Sequence, residues 1–176
     1  LAEHYGLHPL VLEDALNAYQ RPKYEDYGEY VQILLKMCSW DESTQEATIQ
    51  PVSVVVAAGF VMSFDARASG AFDAIGDRLR SGAGRIRQMG ADYLAYCLLD
   101  AVIDGYFDML ERRGNAIEAL EEQIVSRPNT ATLRRLHSIR RQSMLFRRAI
   151  WPLREAVSEL RRGESPVMSD EMTPYL

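Results

Sequence analysis

The stretch LLDAVIDGYFD, residues 98–108, decides the fold of the second half of the chain, because it places carboxylates at helical spacing in an otherwise apolar run. Asp100, Asp104 and Asp108 recur at every fourth position. An α-helix turns once in about 3.6 residues, so the three carboxylates lie on one side of a helix. Like charges at this spacing destabilise an isolated helix by roughly 0.2–0.5 kcal/mol per pair. The column is therefore either a solvated helix surface or a surface that attracts cations.

The helix that contains this stretch is predicted to run from Asp92 to about Val125, because no proline interrupts it and apolar residues recur at intervals of three and four. After the turn SRPNT, residues 132–162 repeat the same spacing. Two such helices predict an antiparallel coiled-coil hairpin, with a kink at Pro152. The first helix carries eight carboxylates and two arginines, and the second carries nine arginines and two carboxylates. We therefore expect an acidic helix to lie beside a complementary basic one.

The first half of the chain combines strands with short helices. Runs rich in valine, isoleucine and aromatic residues predict strands, and their near-continuous apolar character indicates cover on both faces, or on one face at a central position. Pro9 is tolerated in the first turn of a helix. We predict a helix at 8–18 and a loop at 19–28. Three strands follow, at Tyr30–Trp40, Thr48–Ala57 and Phe60–Phe64, and then a second helix at 68–82.

The predicted fold class is α/β (α+β), a small mixed sheet flanked by helices and followed by a long antiparallel helical hairpin. With 176 residues, 47% of them hydrophobic, the chain is long enough to bury a core. Three parts are expected along it: a partial α/β sheet domain at 1–89, the helical hairpin packed on it at 90–163, and a loop at 164–176. The chain opens with Leu1 instead of Met, so we interpret it as a piece of a longer protein.

Composition and motifs exclude several classes of function. A net charge of −5 does not favour binding to nucleic acid. The longest nearly apolar stretch, 52–64, is shorter than the ~20 residues of a membrane helix. Cys38 and Cys97 are predicted to be reduced core thiols in the cytoplasm. Neither a glycine-rich phosphate loop nor a histidine-backed nucleophile occurs, so we do not expect an enzyme. A stand-alone metal-dependent enzyme built on the carboxylates stays an alternative.

Two groups of oxygen-bearing side chains are candidates for a cation site. One is the column of Asp100, Asp104 and Asp108, and the other is Glu13, Asp14 and Asn17 on the first helix. Carboxylate and amide oxygens suit hard cations such as Mg²⁺, Ca²⁺ or Mn²⁺, and the lack of clustered cysteine and histidine disfavours a zinc or copper site. Solvated helix faces remain the competing interpretation of both groups.

Four phrases in order resemble one family, the CorA-type magnesium and cobalt transporters. The resemblance covers nearly the whole chain, and the closing letters TPYL extend it. The phrases are GLHPLVLEDALN (6–17), QRPKYEDYGEYV (20–31), GADYLAYCLLDAVIDGYFDMLE (90–111) and RRAIWPLREAVSEL (147–160).

The resemblance implies the cytosolic domain of a channel, at the cytoplasmic face of the cell membrane. In that family the domain is a mixed sheet between helices, followed by long helices that descend to the membrane. Two C-terminal membrane helices carry a Gly-Met-Asn motif at the pore mouth. This chain contains neither, and it lacks the family's earliest residues, which would add strands. The family assembles as a homopentamer, and no nucleic-acid partner is implied.

The resemblance also implies regulatory Mg²⁺ sites between neighbouring subunits, with Co²⁺ or other divalent cations as possible occupants. The acidic pair of the family's LED phrase matches Glu13 and Asp14, and the first carboxylate of its D-A-x-x-D phrase matches Asp100. A partner aspartate would follow the PYL-like phrase, in a stalk helix beyond Leu176. Asn17, Asp104 and Asp108 are expected to contribute a field or water-mediated contacts.

The implied mechanism is electrostatic. Plentiful Mg²⁺ bridges the carboxylates across each interface and holds the pore shut, and scarce Mg²⁺ leaves carboxylates that repel one another and loosen the ring. A sensor of an abundant ion has to bind weakly in order to empty when the ion becomes scarce. A zinc-transporting relative, which shares the cytosolic fold, is the alternative within this resemblance.

Overall fold

A four-stranded sheet, short helices and a long helical hairpin make up the computed structural model, which describes residues 2–41, 46–65, 70–126, 129–162 and 165–175. A 3₁₀ helix, Asp170–Tyr175, follows the last α-helix. The elements in chain order are α1 Ala2–Tyr5, α2 Pro9–Leu16, β1 Lys23–Asp26, β2 Tyr30–Asp41, β3 Glu46–Ala57, β4 Phe60–Asp65, α3 Asp73–Ser81, α4 Ala91–Ser126, α5 Thr130–Ile150 and α6 Leu153–Arg162.

The sheet confirms the predicted α/β (α+β) class and three predicted strands. Its order is β1-β2-β3-β4, and β2 and β3 pair over their full length, from Tyr30 opposite Ala57 to Asp41 opposite Glu46. Every pairing among the described strands is antiparallel, so the parallel pairing that a mixed sheet would contain is not found in them. The links between these strands are too short for the crossover that parallel neighbours require.

The sheet is covered on both faces, as the apolar strands predicted. Val54 and Val56 of β3 belong to the core that includes Val102 and Tyr106 of α4. Val55, between them, belongs to a separate cluster with Val11 of α2. Successive side chains of a strand point to opposite faces. The sheet therefore separates α2 from α4.

Strand β1 corrects the prediction that residues 19–28 form a loop. Lys23–Asp26 pairs with Val31–Leu34 of β2, and α6 packs against the outer strand. Gly28 has φ 84°, a conformation that glycine adopts without strain, and the main-chain N–H of Tyr27 donates to Tyr30 O at 3.0 Å to close the turn. The sequence KYED has little strand propensity, so the pairing depends on the turn and on β2.

The helical hairpin forms as predicted, but its second arm is broken. Helix α4 runs over 36 residues, close to the expected 92–125. The second arm stops at Ile150 and resumes at Leu153, so Pro152 coincides with a break between two helices where we expected a kink. The 68–82 helix is found as Asp73–Ser81, and its predicted first two residues lie outside the described residues.

The acidic arm α4 lies beside the basic arm α5, as predicted. Among the described residues no ion pair joins a carboxylate of α4 to an arginine of α5 or α6. The seam instead buries Met109, Leu120 and Phe146. It also buries Arg113, whose guanidinium donates to Ser143 Oγ at 3.2 Å and to Gln142 Oε1 at 2.9 Å. Leu110, which the predicted periodicity places in the seam, is 50% exposed.

One hydrophobic core contains residues of both the sheet and the hairpin, and the division at residue 89 stays a prediction. Cys38 and Cys97 are free and buried, as expected of core thiols. Burial raises the pKa of Cys38 to about 12, although the nearby Arg113 charge opposes the shift. Within the described part of the chain, the helices include none with the length and apolar character needed to cross a membrane.

Candidate cation site

Asp14 is the most enclosed of the predicted cation ligands, and its carboxylate is already bound by two side chains of the same chain. Lys23 Nζ lies 2.6 Å from Asp14 Oδ2. Gln20 Nε2 donates to Asp14 Oδ1, so both carboxylate oxygens are engaged. The side chain of Asp14 is 15% exposed. Asp14 is therefore a partly buried carboxylate paired with an internal cation.

The ammonium of Lys23 bridges two carboxylates. Its Nζ also donates to Glu25 Oε1 at 2.7 Å, and Tyr27 donates through its hydroxyl to Glu25 Oε2 at 3.1 Å. Burial alone would lower the pKa of Lys23, but the hydrogen bonds and charges of Asp14 and Glu25 outweigh it, and the pKa is raised. Burial and the charge of Glu25 raise the pKa of Tyr27 to about 12. Lysine and tyrosine thus stay protonated on either side of Glu25.

Helix α2 is fixed to the sheet by polar contacts that hold Asp14 in place. Gln32 Nε2 donates to Val11 O at 3.0 Å and to Ser53 Oγ at 3.0 Å. Before the helix, the main-chain N–H of His8 donates to the Tyr30 hydroxyl at 2.8 Å. Glutamine in a buried strand keeps its place because its amide is bonded. The acidic end of α2 is therefore rigidly attached to β2 and β3.

Glu13 and Asn17 flank Asp14 and are exposed. Asn17 follows the last residue of α2, where its main-chain N–H donates to Asp14 O at 3.2 Å. Its side-chain Oδ1 accepts from the main-chain N–H of Tyr19 at 3.0 Å. Glu13 thus presents a solvated carboxylate beside the enclosed Asp14, while the side-chain oxygen of Asn17 bonds within its own turn.

Asp100 lies on the exposed side of α4 beside a cluster of tyrosines. Burial, together with the charge of Asp100 and a hydrogen bond to it, raises the pKa of the Tyr96 hydroxyl. The ring of Tyr175 packs against Tyr96 and Tyr93, with centroid distances of 5.3 and 5.7 Å. The closing 3₁₀ helix is also attached to the start of α4, because Ser169 Oγ donates to Asp92 Oδ2 at 2.6 Å. Tyr175 therefore lies beside Tyr96, the tyrosine that forms a hydrogen bond with Asp100.

The other two aspartates of the column differ from each other. Asp104 is exposed, and within the described residues it forms no ion pair. Asp108 is paired with Arg112 one turn later, with Nε at 3.0 Å from Oδ2 and 3.1 Å from Oδ1. Neither one is enclosed by other side chains as Asp14 is.

The predicted ligands are not gathered into one site within a single chain. Asp14 belongs to α2 and Asp100 to α4, on opposite faces of the sheet. In the portion of the chain that the structure describes, no three side chains of His, Cys, Asp or Glu are grouped so that they could hold a metal ion. The donor chemistry suits Mg²⁺, which takes few protein carboxylates and keeps several waters.

A basic groove of about 870 Å³ lies next to Gln20, between the loop after α2 and the break at Pro152. Among its described lining residues are four cationic side chains and no carboxylate; the cations are Arg21, Lys36, Arg147 and Arg148. Lys36 Nζ donates to Ala18 O at 2.7 Å. The groove is therefore separate in chemistry from the acidic surfaces and supplies no cation ligand.

Sequence reasoning missed Gln20, Lys23 and Glu25, the side chains that engage Asp14 or its lysine partner. The only signal was the phrase QRPKYED shortly after the LED letters, with a lysine and two acidic residues in close succession. Their alignment with Asp14 depends on the register of β1 on β2, which begins with Lys23 opposite Leu34. A segment assigned as a loop could not supply that register.

The comparisons with known proteins agree with the resemblance in the sequence. The model of a family described as CorA-like Mg²⁺ transporter protein matches residues 1–176. The cobalt/magnesium transport protein CorA of Thermotoga maritima is 41% identical over 175 residues, which are 99% of this chain and 50% of that protein. The chain thus spans about half the length of this curated relative.

Solved structures share the fold. The soluble domain of CorA from Methanocaldococcus jannaschii matches with a TM-score of 0.85 at 15% identity, covering 99% of this chain and 69% of that one. The ZntB cytoplasmic domain from Vibrio parahaemolyticus matches with a TM-score of 0.72 at 18% identity, covering 99% and 68%. The family match over the full chain and the 41% identity decide the assignment. This chain belongs to the CorA-like Mg²⁺ transporter family.

Proposed function

We propose that the chain is the cytosolic, divalent-cation-sensing domain of a CorA-type Mg²⁺/Co²⁺ channel. The observation that carries this proposal is the family match along all 176 residues, together with 41% identity to a cobalt/magnesium transport protein. Since the chain spans half of that relative, the pore belongs to the rest of the complete protein. The domain then acts as a regulator of ion flow at the cytoplasmic face of the cell membrane and performs no catalysis.

The sensing residues in this proposal are Glu13, Asp14 and Asp100. Their placement on opposite faces of the sheet supports a site between neighbouring copies of a homopentamer, since α2 of one copy can then face α4 of the next. The resemblance adds an aspartate after the PYL-like phrase, and Tyr175 of that phrase packs on Tyr96, which forms a hydrogen bond with Asp100. Asn17, Asp104 and Asp108 extend the negative surface.

The gating step follows from charge. Carboxylates that meet across a boundary repel one another, and the repulsion is strong where water is partly excluded. A bound divalent cation supplies positive charge between them. Helix α4 has 36 residues and is about 54 Å long at 1.5 Å per residue, so a small change at the boundary becomes a larger displacement at its far end. Separation of the copies then opens the pore, and their approach closes it.

The proposal is tested in the complete channel with the double variant Asp14→Asn/Asp100→Asn. Mg²⁺-dependent closure, followed by ion flux into liposomes, is expected to require at least about tenfold more Mg²⁺, because neutral amides are poorer Mg²⁺ ligands than carboxylates and the ion then bridges neighbouring copies less tightly. The matched control is Glu118→Gln/Glu121→Gln, which removes the same charge from exposed positions of α4. Closure of the double variant at the wild-type Mg²⁺ concentration would contradict the proposal.

A zinc-transporting relative is the second candidate function, because the cytoplasmic domain of ZntB shares this fold. The greater identity to the cobalt/magnesium protein favours Mg²⁺ and Co²⁺. Uptake by the complete protein separates the candidates. We expect Mg²⁺ and Co²⁺ to enter and to compete with each other, whereas transport of Zn²⁺ without Mg²⁺ would select the alternative.

A further inference from the structure

We propose that Lys23 is a tethered cation that competes with divalent ions for Asp14 and thereby sets the ion concentration at which the site fills. This inference rests on the proposed function, because it assigns a regulator to the same carboxylate. Lysine presents a compact point charge on a flexible stem, which is suited to occupy a carboxylate and then to leave it.

Each oxygen of the Asp14 carboxylate already has a partner while Lys23 is in place. Oδ2 is 2.6 Å from the ammonium, and Oδ1 accepts a hydrogen bond from the amide of Gln20. Only 15% of the Asp14 side chain is exposed, so a divalent cation that binds Oδ2 has to displace the ammonium already held there. Of the two partners, Lys23 carries the charge that a divalent cation would replace. Binding at Asp14 is therefore an exchange of cations.

Glu25 gives the displaced ammonium a second position. Its Oε1 is already 2.7 Å from Lys23 Nζ, and its Oε2 is held by the Tyr27 hydroxyl at 3.1 Å. The ring of Tyr27 is itself stacked on Tyr30, with centroids 4.9 Å apart. Lys23 can therefore leave Asp14 and keep one ion pair with a carboxylate whose place is fixed. The lysine side chain is 30% exposed and has room for this movement.

The exchange lowers the apparent affinity of Asp14 for a divalent ion. If Lys23 occupies Asp14 for about nine-tenths of the time, the fraction of free carboxylate is about one-tenth, and the apparent affinity for a divalent ion falls about tenfold. An ion pair between fully exposed side chains would lower the affinity less. Asp14 is enclosed, however, and Asp14 and Lys23 each form a further hydrogen bond, to Gln20 and Glu25. The lysine thus makes the site weak enough to empty when the ion becomes scarce.

The test uses the complete protein and Mn²⁺ as the probe, with free Mn²⁺ measured by electron paramagnetic resonance. Lys23→Met is expected to lower the binding midpoint about tenfold, because it frees Asp14. The matched control is Lys36→Met, which removes the same charge from a lysine whose ammonium donates to the main-chain oxygen of Ala18. The control should leave the midpoint unchanged. Lys23→Arg keeps the positive charge and should restore a high midpoint.

A second comparison separates competition from a general change in charge. Glu25→Gln removes the other position for the ammonium and should raise the midpoint in the wild-type background. In the Lys23→Met background it should have little effect, since no ammonium remains to be displaced. Equal effects in both backgrounds would overturn the inference. If Lys23→Met folds poorly, Lys23→Gln takes its place as the reference background, because it also removes the charge but keeps a polar side chain.

Failure of the inference is distinguishable from failure of the proposed function. If Asp14→Asn leaves Mn²⁺ binding unchanged, Asp14 is not a ligand and both ideas fall. If Asp14→Asn weakens binding but Lys23→Met has the midpoint of wild type, the site stands and the role of Lys23 is wrong. A lowered midpoint in Lys23→Met, abolished by adding Asp14→Asn, supports both.

Discussion

The hydroxyl of Tyr106, in the middle of α4, donates a hydrogen bond to the main-chain carbonyl oxygen of Lys36 in β2. The two residues are 70 positions apart in sequence. The ring of Tyr106 also meets Phe146 of α5 edge to face, with centroids 6.1 Å apart. One buried side chain thus connects the sheet to both arms of the hairpin, and burial raises its pKa well above the ordinary tyrosine value.

Tyr106→Phe is expected to lower the free energy of unfolding by about 1–2 kcal/mol, because it removes a buried hydrogen bond while keeping the ring. Urea denaturation measures the change. Tyr5→Phe is the control, because Tyr5 is 43% exposed and the substitution keeps the contacts of its ring. Equal stability of the two variants would mean that the bond to Lys36 contributes nothing.

Two glycines of α4 should respond in opposite ways to alanine. Gly114→Ala is expected to stabilise the chain by up to about 1 kcal/mol, because a Cβ there meets nothing within 4 Å and alanine favours helix. At Gly105 a Cβ would lie 3.3 Å from the main-chain oxygen of Cys38, so Gly105→Ala should give no gain or a loss. Thermal unfolding compares them directly. Stabilisation by both would show that α4 can move away from β2.

Cys38 makes stability fall in alkaline solution. Burial raises its pKa from 9.0 to about 12, so above about pH 9 the unfolded chain loses the thiol proton while the folded chain keeps it. The stabilising contribution is complete below the unfolded value and disappears as pH rises toward the folded one, at up to roughly 1.4 kcal/mol per pH unit. Unfolding of Cys38→Ala should therefore depend less on pH between about 9 and 11 than that of wild type. Parallel pH profiles would contradict this.

Asp104 and Asp108 should contribute differently to stability, because only Asp108 is paired with a cation. Asp104→Asn removes like-charge repulsion within the column. It should raise the free energy of unfolding by a few tenths of a kcal/mol at low salt. Asp108→Asn also breaks the pair with Arg112 and should stabilise it less or destabilise it. Both effects should shrink at about 1 M salt, where exposed charges are screened. Denaturant titrations at two salt concentrations test the pair.

The strands that could be predicted were those with strong local signals. β2, β3 and β4 are apolar and β-branched, and their predicted ends lie within two residues of those in the structure. β1 has the polar sequence KYED and becomes a strand only through the Gly28 turn and its pairing with β2. The contact of Lys23 with Asp14 depends on that strand, so it could not be predicted from the sequence either. Tertiary context decided what local propensity could not.

Charge composition predicted that the two arms of the hairpin lie side by side, but not which side chains meet between them. Opposite net charges on two neighbouring helices favour their approach, but they do not select which side chains meet. The seam is filled by apolar residues and by Arg113, which bonds to Ser143 and Gln142 instead of to a carboxylate. The acidic column, by contrast, was correctly expected on one side of α4, because helical spacing alone determines which residues share a face.

The sheet that separates α2 from α4 constrains the symmetry of any assembly built on the proposed site. If Asp14 of one copy lies opposite Asp100 of the next, the contact joins the front of one sheet layer to the back of another. Such a contact is heterologous and leaves an unused half on each outer copy, so a two-fold dimer cannot satisfy it. Copies joined in this way either close into a ring or continue as a filament. If the proposed site is right, only a closed ring gives every carboxylate its counterpart, because a filament leaves one unused half at each end.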